Sequence, residues 1–123
     1  MKQSVYLAGG FESDWRDMVV ITTKNGYEFF VPQYRPTWRW SEYGAWDIHF
    51  IKKCDILFAY LGKENPSGYG LSAEVGYAKG INKTIILVIE PGHPKSSYFD
   101  FLRNFADVVF DNLEDGIKYL NEF

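Results

Sequence analysis

The chain has 123 residues, 46% of them apolar and 19% aromatic, so it is expected to fold as a single domain over 1–123 rather than remain disordered. A formal net charge of −3 leaves no basic footprint for long nucleic acid, and one cysteine, Cys54, excludes an internal disulfide framework. No Cys/His set has metal-ligand spacing, no apolar run approaches the roughly 20 residues of a membrane span, and MKQSVYLAGG does not read as a signal peptide; a soluble, cytoplasmic domain without a metal is expected.

In chain order, SVYLAG (4–9) is a short apolar run stopped by Gly9-Gly10 and predicts a first strand. ESDWRDMVVITTKNG carries Trp15, Met18, Val19 and Thr22 at helical spacing, with Ser13 placed to cap the helix and Asn25-Gly26 to end it. YEFFVP (27–32) reads as a second strand closed by Pro32, and QYRPTWRWSEY (33–43) as a loop rich in aromatics and arginine. A helix over GAWDIHFIKK (44–53) precedes DILFAYL (55–61), a continuous apolar run of the kind buried on both faces. KENPSGYG is loop, LSAEVGYAKG helix and KTIILVIE (83–90) a further buried strand. PGHPKSS is a turn, YFDFLRNF is helical, DVVF (107–110) is a last short strand and NLEDGIKYLNEF a closing amphipathic helix. Five strands alternating with helices predict an α/β fold, a parallel sheet covered on both faces. Ligands of such sheets sit outside the carboxyl ends of the strands, near the switch in strand order. The loops after VYLAG, FFVP and FAYL are therefore expected to meet at the site.

SGYGLSAEVGYAKG (67–80) sets glycines around one carboxylate, Glu74. On a helix beginning near Gly70, positions 71, 74, 75 and 78 share a side, so Glu74 is flanked by Leu71, Val75 and Ala78 in the first turn. Two readings stand. Either Glu74 complements the positive end of its helix, or it is a poorly hydrated carboxylate kept for chemistry. Gly68 and Gly70 let backbone N–H groups approach a ligand, although a Pro-Ser-Gly turn alone would also explain them. WDIHFIKKCD supplies candidate second acids. Asp47 is expected in the first turn of its helix, and Asp55 reads as a surface residue opening a strand. Two carboxylates in one cleft suit cleavage of a glycosidic bond, where roughly 5 Å of separation marks the covalent route.

Trp38, Trp40 and Trp46 surround Arg35 and Arg39. They offer either stacking faces and a phosphate partner or simple loop packing and a subunit interface. Arg16 offers a phosphate contact or a solvated surface residue, His49 reads as structural, and His93 as exposed.

Three stretches carry a resemblance: VYLAGGF, the pattern D-x-x-x-I-x-x-x-D-I-L-F-A from Asp47 through Ala59, and G-Y-G-L-S-A-E-V-G-Y-A-K-G. Together they resemble the nucleoside 2-deoxyribosyltransferase family, whose relatives include enzymes that hydrolyse nucleoside monophosphates. The resemblance implies a flavodoxin-like, Rossmann-like parallel sheet, a homo-oligomer with shared sites, and no cofactor. It implies attack of a glutamate on the anomeric carbon, release of the base, and resolution by a second base or by water. Glu74 matches the nucleophile, Asp47 the aspartate that assists the leaving base or positions the sugar, and Tyr6 the tyrosine that contacts the nucleophile. Gly9 and Gly10 lie in the loop facing substrate; Arg16, Trp46, Ser67 and Gly70 complete the expected binding set. Where the transferases carry an aspartate for sugar hydroxyls, six residues before the glutamate, this chain has Gly68; the hydrolases' serine is matched only by Ser67, one residue away. Transfer to a base and transfer to water therefore both remain open. The small-molecule partner expected is a nucleoside or nucleotide. The rival expectations are a non-catalytic nucleotide or nucleotide-sugar binding module and a structural protein with a relic pocket.

Overall fold

A computed structural model describes residues 2–23 and 26–123. The elements are β1 (Ser4–Gly9), α1 (Trp15–Thr22), β2 (Glu28–Phe30), α2 (Trp40–Lys53), β3 (Ile56–Leu61), α3 (Tyr69–Gly80), β4 (Thr84–Ile89), β5 (Val108–Phe110) and α4 (Leu113–Glu122). Short 3-10 segments lie at Pro32–Tyr34 and Ser96–Phe105. All strand pairs are parallel and the order is β2-β1-β3-β4-β5, a flavodoxin-like sheet whose order switches between β1 and β3.

Alternation along each strand divides the core. Tyr6, Ala8, Leu57, Ala59, Ile85 and Leu87 point to one face and pack against Ile51 of α2, Leu71, Val75 and Ala78 of α3, and Phe99 and Leu102. Val5, Leu7, Ile56, Phe58, Ile86 and Val88 point to the other and meet Trp15 and Val19 of α1 with Ile117 and Leu120 of α4. The same pleat that builds the core thus delivers the Tyr6 side chain beneath α3.

The strands fall where the apolar runs place them, with ends trimmed. The helices depart further. Ser13 does not cap α1: the N-cap position is Asp14, without a side-chain capping bond. The predicted stop at Asn25 lies outside the described residues. Helix α2 begins at Trp40 rather than at 44, taking in residues expected as loop. Helix α3 begins at Tyr69, which puts Glu74 in its second turn rather than its first. YFDFLRNF is helical, but of the 3-10 type. Among the described residues no helix is long and apolar enough to cross a membrane.

Candidate active site

A cavity of about 710 Å³ opens at the carboxyl ends of β1 and β3, the switch point of the sheet. Its walls come from the loop after β1, from Arg35 and the Tyr43–Asp47–Ile51 side of α2, and from the segment running from Asn65 into α3.

Glu74 lies at its centre. The Tyr6 hydroxyl rises from the buried face of β1 and donates to Glu74 Oε2 at 2.6 Å. Burial pushes the Glu74 carboxyl up to about 7; the bond from Tyr6 opposes this, and the nearby Asp47 charge adds to it. Burial, followed by the Glu74 charge, also drives the Tyr6 phenol upward, so Tyr6 stays a protonated donor. The expectation for Glu74 is thereby refined: it lies beyond the first turn, where the helix dipole acts most strongly, and desolvation dominates.

Asp47 faces the same cavity from α2. Its Oδ2 accepts from Arg35 Nη1 at 2.8 Å, with both side chains largely buried. Burial raises the Asp47 carboxyl above its ordinary value, and Arg35 acts against that rise. The Arg35 guanidinium stands over the rings of Tyr43 at 4.0 Å, Trp38 at 4.6 Å and Phe11 at 5.5 Å. Arg35 Nε and Asp47 Oδ1 are buried without a hydrogen-bond partner among the described residues.

The remaining expected residues fall into two groups. Gly9, Gly10, Ser67, Gly68 and Gly70 line the cavity. A Cβ on Gly68 would stand 2.9 Å from Leu61 Cδ1 and 2.9 Å from Phe99 Cζ, on a backbone at φ +85°, so position 68 has no room for a side chain. Arg16 also reaches the wall, but as a buried clamp rather than a solvated cation. It donates to the carbonyls of Leu7, Gly10 and Gly9 at 3.0, 2.8 and 2.7 Å, fixing the loop after β1. Burial lowers its pKa to about 10, so it remains charged at neutral pH. Trp46 is corrected: it is absent from the cavity wall and packs on Phe50, ring centroids 4.3 Å apart. With Asp47, Tyr43 and Ile51 on the cavity side of α2, position 46 turns about 100° away. Asp55 also lies elsewhere, accepting from the Ser4 N–H at 2.8 Å as a brace at the start of the sheet.

His93, expected to be exposed, is buried, and its Nε2 contacts the Asn65 carbonyl oxygen at 2.7 Å. The Arg35–Asp47 pair and Asn65 were not predicted as site features. Their partners lie 12 and 28 residues apart along the chain, with no periodic signal linking them. Among the described residues no group of three or more His, Cys, Asp or Glu side chains could hold a metal ion.

A family model described as nucleoside 2-deoxyribosyltransferase like matches residues 2–91. Among solved structures, the chain is similar to a conserved protein from Enterococcus faecalis V583, with TM-score 0.77 and 14% identity over 99% of each chain. It is similar to a 2-desoxiribosyltransferase from Leishmania mexicana, with TM-score 0.72 and 20% identity over 98% of this chain and 97% of that one. The CMP N-glycosidase BcmB of Clostridium botulinum superposes with TM-score 0.66 and 19% identity, covering 98% of this chain and 100% of that one. No curated protein matches the chain at a significant level.

Proposed function

Because the chain belongs to the nucleoside 2-deoxyribosyltransferase-like family, we propose that it cleaves the N-glycosidic bond of 2′-deoxynucleosides or their 5′-monophosphates, with Glu74 as nucleophile. One observation carries this reading: the half-buried Glu74 carboxylate, held by the Tyr6 hydroxyl, lines the same cavity as Asp47.

In its ionised form Glu74 attacks C1′ of the sugar. The C1′–N bond breaks with its electron pair moving to the base, and a protonated Asp47 supplies the proton that lets the base leave. The product is a glycosyl ester on Glu74. A second base, or water, then attacks C1′, the electron pair returns to the Glu74 carboxylate, and Asp47 takes back a proton. Tyr6 holds Oε2 and leaves Oε1 for the attack. Burial serves both acids, since a poorly hydrated carboxylate is a better nucleophile and a desolvated Asp47 retains its proton more readily.

The test follows base release by chromatography from a panel of deoxynucleosides and deoxynucleoside monophosphates, with and without a second free base, beside Glu74→Ala. Release that disappears in Glu74→Ala supports the nucleophile, and a new nucleoside formed with the added base identifies a transferase. The absence of side-chain space at Gly68 favours a second reading, a binding module for nucleotides or nucleotide-sugars. Tight binding by calorimetry with no base release from any substrate would support that module over the enzyme.

A further inference from the structure

Arg35 is built into the cavity wall as a fixed cation. Its backbone closes the 3-10 turn at Pro32–Tyr34, where its N–H donates to the Pro32 carbonyl at 3.2 Å, and Pro36 follows. Its side chain is only 5% exposed. The rings around the guanidinium come from three segments: Phe11 from the loop after β1, Trp38 from the loop after β2, and Tyr43 from α2. Phe11 and Trp38 also meet edge to face, with centroids 5.3 Å apart, and both are half-exposed, so they form the outer side of the cage. Within it the guanidinium bonds one side chain, Asp47, through Nη1 to Oδ2, while Arg35 Nε and Asp47 Oδ1 have no partner among the described residues. Arg16 shows what a buried arginine does as a brace, bonding three backbone carbonyls. Arg35 braces nothing of the kind, and a buried ion pair gains little stability over apolar packing. Its one partner is an acid of the cavity. Burial penalises the charged form of that acid, and Arg35 is the largest influence opposing the penalty.

We propose that Arg35 is a positioning residue for the N-glycosidic step, fixing Asp47 through Oδ2 and stabilising the carboxylate that Asp47 becomes as the base departs. The inference rests on the N-glycosidic reading above and adds to it the group that governs its acid. Oδ2 faces a cation and already accepts from it, so the proton of neutral Asp47 resides on Oδ1, the oxygen no donor reaches. As the C1′–N electron pair moves onto the base, that proton passes to the base and Asp47 is left negative. Arg35 donates a hydrogen bond throughout and transfers no proton. A guanidinium held in place before the charge appears favours the transition state over the bound substrate, so its effect belongs in kcat. The ring cage suits a planar guanidinium better than an ammonium, which explains an arginine at this position.

The test uses two substrates that differ in their need for a proton. The base of 2′-deoxyguanosine leaves readily only when protonated, whereas that of N7-methyl-2′-deoxyguanosine already carries a positive charge and departs neutral. Base release from both is measured in wild type, Arg35→Gln, Asp47→Asn, their double variant and Glu74→Ala, with spontaneous release subtracted. Arg35→Gln should lose about 100-fold in kcat on deoxyguanosine and little on the methylated substrate. Asp47→Asn should show the same split, and the double variant should be no worse than Asp47→Asn, because Arg35 acts through that acid. Arg35→Lys keeps a cation and should recover part of the loss; it carries the same comparison if Arg35→Gln does not fold. Equal losses on the two substrates, losses that add in the double variant, or a change confined to KM would overturn the inference. The pH profile gives a second readout, on whichever deoxynucleoside wild type uses fastest. Asp47 is surrounded by Arg35, Tyr6, Arg16 and Glu74, and of these Arg35 does most to lower its carboxyl. Without that cation Asp47 keeps its proton to higher pH, so the alkaline limb of kcat/KM should move upward in Arg35→Gln; an unmoved limb counts against the role. Glu74→Ala separates this inference from the reading beneath it. Release that depends on Glu74 but falls equally on both substrates in Arg35→Gln keeps the enzyme and removes the positioning role, and no release by wild type from any deoxynucleoside removes both.

Discussion

At the scale of single residues, Glu74 carries a proton that the folded state binds more tightly than the unfolded chain. Its carboxyl sits at about 7 in the fold against an ordinary 4.5, with burial as the chief cause. A raised carboxyl contributes stability that is fully present below the ordinary value and lost as pH climbs through the folded one; the loss amounts to roughly 3 kcal/mol across the interval. Glu74→Gln keeps an acceptor for the Tyr6 hydroxyl and cannot ionise. It should therefore unfold at higher urea than wild type at about pH 8 and coincide with it near pH 4. Urea titrations at both pH values check this, and a variant no more stable than wild type at the higher pH would place the charged form at ease in its site. Turnover should show both ionisations as a bell: kcat/KM should fall on the acid side as Glu74 takes up a proton and on the alkaline side as Asp47 loses the proton it donates, two limbs that steady-state rates across pH would reveal. Much of this residue was legible in the chain, because glycines and apolar neighbours framed a lone acid. Asn65 was not, since its fixed orientation comes from Ser67 and from a buried histidine 28 residues away that a proline-flanked turn had suggested was exposed.

At the scale of elements, the central strands were readable because burial on both faces leaves continuous apolar runs. The start of α2 was hidden for the opposite reason. Trp40, Ser41 and Glu42 are exposed, so that turn carries no inward-facing period, and its one aromatic, Trp40, faces away from the core. The 3-10 segment at Ser96–Phe105 shares its apolar spacing with an α-helix, and spacing alone does not separate them. Packing between elements likewise overrides local preference at Gly116 of α4. An alanine there would gain about 1 kcal/mol in helix propensity. Its Cβ, however, would stand 2.6 Å from Val88 Cγ2 and 3.2 Å from Phe58 Cζ, both in fully buried strand residues. Gly116→Ala should therefore lose about 1–3 kcal/mol, whereas Gly76→Ala, with nothing within 4 Å of the added carbon, should gain up to about 1 kcal/mol. Urea midpoints of the two variants measure the difference, and equal gains would mean that α4 moves freely over the sheet.

At the scale of the whole molecule, the two hydrophobic clusters lie on opposite faces of the same strands, which neither cluster can leave without opening the other. The cavity depends on the same sheet. Tyr6 and Glu74 are 68 residues apart, and Arg35, Asp47 and Asn65 come from different segments. No part of the site is local enough to survive partial unfolding, which explains why single motifs suggested the residues but not the cavity. One cooperative transition is therefore expected. Trp15 reports the α1–α4 face and Trp46 packs on the α2–α3 face, so near-ultraviolet bands from both environments should vanish at the urea concentration where far-ultraviolet helix signal is lost. Separate variants with Trp15→Phe or Trp46→Phe assign the bands to their faces. Should the Trp46 signal fade first, α2 and α3 would form a separately stable layer. Asp47 and Glu74 would then be carried by elements able to open while the sheet and its α1–α4 face stayed closed.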